Sequence, residues 1–173
     1  DLYTAFYDDR PAASPQTAPG RLLLLCYHNL RSPRDVSLVN QCRGLVLREH
    51  SWEPLCWGMD RFFNQQEKAP TTHNNKKKLQ TQLLPPFRAE EKVDGTYLLL
   101  FHTGLRWMLC TRHTFCEQDR RYQDLFLEAT QVHDLEALAT KAGLQPGVTY
   151  CLELCSPQNR ILREIDVPKV YLL

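Results

Sequence analysis

The sequence predicts one α+β domain built on antiparallel sheet. Short apolar runs such as Arg21 to Tyr27 and Thr96 to His102 have the length and composition of strands. The turn His102-Thr103-Gly104 joins the second run to Arg106 to Thr111, as in a hairpin. At 173 residues the chain is long enough for one real core and too short for two.

Taken in order, residues 1–20 hold Pro11, Pro15 and Pro19 and read as a loosely ordered lead-in after a short helix or turn. Residues 21–173 form the domain. Arg21 to Tyr27 is a strand, Ser32 to Asn40 a loop or single helical turn, and Arg43 to Arg48 a second strand. Leu55 to Gly58 follows as a third. From Gln65 to Pro86 periodicity is lost, and the run Lys76-Lys77-Lys78 marks either a solvated loop or a basic lid. Strands resume at Phe87 to Lys92, before the hairpin. Asp119 to Thr130 is a helix with Tyr122, Leu125, Phe126 and Ala129 on one face. Asp134 can cap the next helix, which ends at Gly143 with Pro146 beyond it. Thr149 to Cys155 and Lys169 to Leu173 are the last strands.

A 43% hydrophobic share with 24% charged residues describes a soluble globular protein. Its apolar runs fall far short of a membrane span. The net charge of +1 gives no global drive toward nucleic acid, so any nucleic-acid affinity requires a local basic surface. Seven cysteines, none in Cys-x-x-Cys spacing, read as structural free thiols rather than metal ligands. They place the chain in a reducing compartment, cytoplasmic or nuclear.

Lys92-Val93-Asp94-Gly95 is the segment richest in chemistry. It leads into the apolar run Tyr97 to Phe101. Partial desolvation there favours a neutral, nucleophilic amine. Gly95 lets the backbone approach a ligand closely, and Asp94 can fix the turn through its own backbone. Upstream stand Gln41-Cys42-Arg43-Gly44 and Arg61-Phe62-Phe63-Asn64; downstream stands Glu153-Leu154-Cys155-Ser156-Pro157-Gln158-Asn159-Arg160-Ile161.

In this order and spacing, the four segments resemble the ATP-dependent RNA ligases of the bacteriophage tRNA-repair type, within the covalent nucleotidyltransferases. The resemblance runs from about Tyr27 to the end of the chain. It implies an antiparallel-sheet nucleotidyltransferase (ATP-grasp-like ligase) domain, incomplete at its C-terminus. The family's later Glu-Gly-x-Val and Lys-x-Lys strands do not follow Glu153, so the missing C-terminal part of the ligase domain is an expected partner.

The implied roles follow residue by residue. Lys92 attacks ATP and becomes lysyl-AMP. Arg43 contacts ATP, with Gly44 leaving room for phosphates. Arg61 stands where the family carries lysine, and a guanidinium grips phosphate in a different geometry. Phe63 packs against the nucleotide or is a core aromatic. Tyr27 matches an ATP-touching tyrosine loosely. Asp94 and Gly95 complete the nucleotide loop. Arg112 keeps the basic residue of a phosphate-binding segment without its glycine. Glu153, on the strand face shared with Cys151 and Cys155, takes the ribose hydroxyls or a Mg²⁺ ion with its waters, unless an arginine pairs it.

The expected substrates are ATP and RNA ends, a 5′-phosphate and a 3′-hydroxyl, with nicked tRNA a candidate. Two alternatives stay open: a catalytically silent nucleotide- or RNA-binding module of the same fold, and a capping-type guanylyltransferase. Phe62-Phe63-Asn64 and Ser156-Pro157-Gln158-Asn159-Arg160 argue against the second.

Overall fold

The computed structural model describes residues 2–9, 20–64 and 88–173. Its element order is β1 (Leu2–Asp8), β2 (Arg21–Tyr27), α1 (Ser37–Gln41), β3 (Arg43–Arg48), β4 (Pro54–Cys56), β5 (Thr96–His102), β6 (Trp107–Thr111), α2 (Arg120–Thr130), α3 (Leu135–Ala142), β7 (Tyr150–Cys155) and β8 (Lys169–Leu172). A 3₁₀ turn spans Pro157–Asn159. The strands form two four-stranded sheets, ordered β1-β2-β3-β4 and β6-β5-β7-β8. Every neighbouring pair is antiparallel.

The second sheet is covered on both faces, which explains its continuous apolar runs. Leu99 and Phe101 of β5 join Met108 and Cys110 of β6 against Leu22, Leu24, Val46 and Cys56 of the first sheet. Leu98 and Leu100, one residue out of phase, join Trp107, Leu109, Leu152 and Leu154 against the helices. There Leu125 and Phe126 of α2 and Leu135 and Ala139 of α3 complete a second core. Asp134 caps α3 as expected, accepting the Ala137 N–H, and Asp119 caps α2 by accepting the Arg121 N–H. Gly143 ends α3 in the left-handed region, with φ +66°. All seven cysteines are free thiols, and all but the half-buried Cys151 are buried.

Three expectations need correction. The first residues are neither helix nor turn: Leu2–Asp8 pair along their whole length with β2, from Leu2 opposite Tyr27 to Asp8 opposite Arg21. Alternation of Ala5 and Tyr7 toward the core, with Leu2, Thr4 and Phe6 outward, carries that strand. The strand expected over Phe87 to Lys92 does not form within residues 88–92, which are irregular; residue 87 itself lies outside the described residues. That segment is mostly charged (Arg88, Glu90, Glu91, Lys92) and has no apolar face to bury. The third strand is shorter than expected, ending at Cys56. The Gln65 to Pro86 stretch with its lysine run lies outside the described residues.

Candidate nucleotide-binding site

A cleft of about 1010 Å³ is lined by residues of both sheets. Five of the residues singled out from sequence line it: Lys92, Gly95, Arg43, Arg112 and Glu153. Strand phase brings them together. Glu153 lies opposite Tyr97 across the β5–β7 pairing, on the face shared with Cys151. That face looks toward the first sheet, because Leu152 and Leu154 point to the helices.

Glu153 is buried, and its Oε1 accepts the Gly95 N–H at 3.1 Å. Burial pushes its pKa up, while the nearby Lys92 amine and the Gly95 N–H act in the opposite direction. No arginine pairs with it among the described residues. The carboxylate therefore meets the cleft with one oxygen engaged by backbone. Only one or two carboxylates plus substrate phosphates are needed to hold Mg²⁺, so Glu153 fits that role. Among the described residues no cluster of three His, Cys, Asp or Glu side chains is arranged for a metal.

Lys92 lies at the cleft wall but is exposed. The expected desolvation is not provided by the fold here, because the residues before β5 are irregular rather than strand. The Lys92 loop is instead held from outside. Asp94 Oδ2 accepts the N–H groups of Leu162 and Arg163 at 2.8 and 2.7 Å. The Arg163 and Leu162 amides hold the Asp94 carboxyl below its usual range. Arg163 also pairs with Glu91 at 2.9 Å, Cys155 Sγ donates to the Asp94 carbonyl, and Asn159 bonds to Thr96. Asp94 thus fixes the loop through residues 162 and 163, not through its own backbone, and it does not line the cleft. Gly95 is required by the protein itself: an added Cβ would run into the Leu154 carbonyl and lie 2.9 Å from Cys155 Sγ. Gly44 likewise closes on Leu99 and the Arg112 backbone, with φ +83°.

Arg43 stands between two aromatic rings, 4.6 Å from the Phe62 centroid and 4.4 Å from that of Tyr97. Its Nη1 is buried without a hydrogen-bond partner. A guanidinium gripped by rings and, among the described residues, in no ion pair with a carboxylate suits an incoming phosphate. Tyr97 also donates its hydroxyl to Cys151 Sγ and accepts the Met59 N–H at 3.0 Å, tying the segment after β4 to the second sheet. Burial pushes its hydroxyl pKa well up.

Tyr27, Arg61 and Phe63 assemble elsewhere. The Arg61 guanidinium lies 4.4 Å from the Tyr27 ring and 5.3 Å from Phe63, and Nη2 donates to the Asn29 carbonyl. None of the three lines the cleft. In the irregular segment 61–64 neighbouring side chains diverge, so Phe62, not Phe63, reaches it. Phe62 and Tyr97 are the residues the sequence reading missed; Tyr97 was recoverable, lying two residues past Gly95 on the strand face of Leu99.

Comparison with known proteins gives two matches. A family described as RNA ligase matches residues 41–173. A proposed bifunctional polynucleotide kinase/RNA ligase of Autographa californica nuclear polyhedrosis virus is 29% identical over 157 residues, covering 84% of this chain and 22% of the viral protein. The chain thus spans about a fifth of that relative's length.

Proposed function

Because the chain belongs to the RNA ligase family, we propose that its cleft is an adenylyltransferase site for the sealing of RNA ends. The observation that carries this reading is the convergence of Lys92, Glu153, Arg43 and Arg112 on one cleft. Among the described residues Lys92 is the one lysine lining the cleft, with arginines suited to hold phosphate and the buried Glu153 carboxylate on the same wall.

In the first step the neutral Lys92 amine attacks the α-phosphorus of ATP. A nitrogen–phosphorus bond forms, pyrophosphate leaves and the amine proton passes to solvent. An unperturbed lysine, with pKa near ~10.4, is neutral in fewer than about one molecule in a thousand at pH 7. Cationic neighbours such as Arg43 and Arg112 favour a neutral amine, whereas the triphosphate's own negative charge opposes it. In the second step an oxygen of the RNA 5′-phosphate takes AMP from Lys92, breaking the nitrogen–phosphorus bond. In the third the 3′-hydroxyl attacks that 5′-phosphorus and AMP departs. Arg43 and Arg112 would hold phosphate oxygens, and Glu153 would hold the ribose hydroxyls or the metal ion. Mg²⁺ bound there would neutralise phosphate charge. Nicked tRNA is the candidate substrate, on resemblance alone.

Incubation with α-labelled ATP and Mg²⁺ tests the reading directly. Label should appear on wild-type protein as an acid-labile adduct and be lost in Lys92→Ala. Lys92→Arg should be equally inert, because a guanidinium stays protonated and cannot attack phosphorus. Label surviving on Lys92→Ala would overturn the assignment. Equal labelling by α-labelled GTP would favour capping-type chemistry, and no labelling would favour a silent binding module.

A further inference from the structure

We propose that Tyr3, stacked on His28 and set against His113, is a platform on which a base of a single-stranded RNA end stacks at the mouth of the cleft. The inference rests on the RNA ligase reading for its choice of ligand, but Tyr3 and His28 stand on a strand and a turn outside the nucleotide site.

Tyr3 shares the inner face of β1 with Ala5 and Tyr7, which pack into the core between the sheets. Tyr3 lies past the end of that core and stays 49% exposed. One side of its ring stacks on His28, with centroids 5.1 Å apart and planes within 19°. The His28 ring is itself fixed. Its Nδ1 accepts the Leu30 and Arg31 N–H groups at 3.2 and 3.3 Å, and the His28 N–H donates to Ser32 Oγ at 2.8 Å. A ring held by two backbone N–H groups keeps one face turned to Tyr3. His113 meets Tyr3 edge-on, with centroids 5.2 Å apart at 72°. His113 follows Arg112 on the cleft wall. The aromatic group therefore starts at the edge strand of the first sheet and ends inside the cleft.

Rings that served only to seal the sandwich would be buried, and half of Tyr3 is in solvent. Arg112, next to His113 on the cleft wall, sets a cation beside the group. A preformed ring beside a cation fits a polyanion with open bases. Single-stranded RNA is such a ligand, whereas a duplex keeps its bases stacked. ATP alone would not need a ring beyond the cleft mouth.

A fluorescent oligoribonucleotide carrying 2-aminopurine at its terminal positions tests the platform. Wild-type protein should bind it and quench the 2-aminopurine. Tyr3→Ala should bind about tenfold more weakly or worse and lose the quench, as expected for one stacked base. Tyr3→Phe, which keeps the ring, should bind like wild type. All three should take label from α-labelled ATP equally, since that step uses no RNA; this also shows that the variants are folded. Binding by Tyr3→Ala equal to wild type, or no binding by wild type, overturns the platform. If RNA binding depends on the Tyr3 ring but no label appears on Lys92, the ligase chemistry fails and the platform stands.

Discussion

Asp94 Oδ2 accepts the Arg163 N–H at 2.7 Å, joining the loop of the candidate nucleophile to a segment 69 residues away. The Leu162 N–H shares the same oxygen at 2.8 Å. Lys92 is exposed and without a strand of its own, so this carboxylate helps set where the amine stands. Asp94→Ala should slow label transfer to Lys92 by about tenfold or more, as small misplacements of reacting groups do. The chain should stay folded, because Asp94 touches neither core. The clamp also has a pH signature. Its carboxyl titrates below the ordinary value near ~3.9, so its stabilisation is present above that value and is lost as pH falls through the lowered one. Hydrogen exchange at the Leu162 and Arg163 amides, followed from pH 6 downward, should show protection persisting below the usual carboxylate range. Wild-type labelling rates in Asp94→Ala would show that the loop is held by other contacts.

Arg43→Lys should raise the KM for ATP in the labelling assay by about tenfold while changing maximal rate less. The planar guanidinium stacks between Phe62 and Tyr97, and an ammonium on a flexible stem does not. Two such contacts at ~0.5–1 kcal/mol each account for that factor. An unchanged KM would remove Arg43 from the phosphate site.

The legible parts of the fold were those in which one residue type does one job. Asp134 and Gly143 bracket α3 because a carboxylate cap and a left-handed glycine have few other uses in that spacing. The strand phase that faces Glu153 away from Leu152 and Leu154 follows from alternation alone. β1 was missed because its prolines come just after it, in residues 10–19, and colour the whole lead-in. In the site, Lys92, Glu153, Arg43 and Arg112 were found by pattern. Tyr27, Arg61 and Phe63 were grouped with them, yet they form their own cation–ring cluster. That divergence is set by backbone direction in an irregular segment, where side-chain alternation does not apply. The reach of Asp94 to residues 162 and 163 is a long-range hydrogen bond that local sequence does not announce.

Glu117→Gln should stabilise the protein at neutral pH. Glu117 Oε2 is buried without a hydrogen-bond partner, and burial pushes its pKa up, with nearby Asp9 adding to the rise and Arg106 opposing it. A carboxyl whose pKa is raised on folding favours the folded state at low pH, and that benefit is lost as pH climbs through the raised value. The neutral amide removes the loss. A gain of ~1 kcal/mol, or about 2–4 °C in Tm for a domain of this size, is expected at pH 7. It should shrink toward zero near pH 4. Thermal melts at both values test this; a gain independent of pH would point to packing, not charge.

Gly95→Ala and Gly104→Ala should separate damage to the site from damage to the fold. At Gly95 the methyl group meets the Leu154 carbonyl, a backbone atom within the β5–β7 pairing, and lies 2.9 Å from Cys155 Sγ. Backbone on that side cannot swing away like the end of a flexible side chain, so the loop must lift off β7. Lifting breaks the Gly95 N–H to Glu153 bond and moves Lys92 relative to the buried carboxylate. At Gly104 the difficulty is conformational: φ is +97°, and the nearest atom is Arg48 Nη2 at 3.6 Å, far from the cleft. Overpacking at Gly95 and strain at Gly104 each cost about 1–3 kcal/mol. Similar losses of Tm are therefore expected. Labelling should fall by about a hundredfold in Gly95→Ala, as for a misplaced nucleophile, and stay within a few-fold of wild type in Gly104→Ala. Equal labelling by the two variants at a temperature where both are folded would mean that the Gly95 approach to β7 does not position the amine.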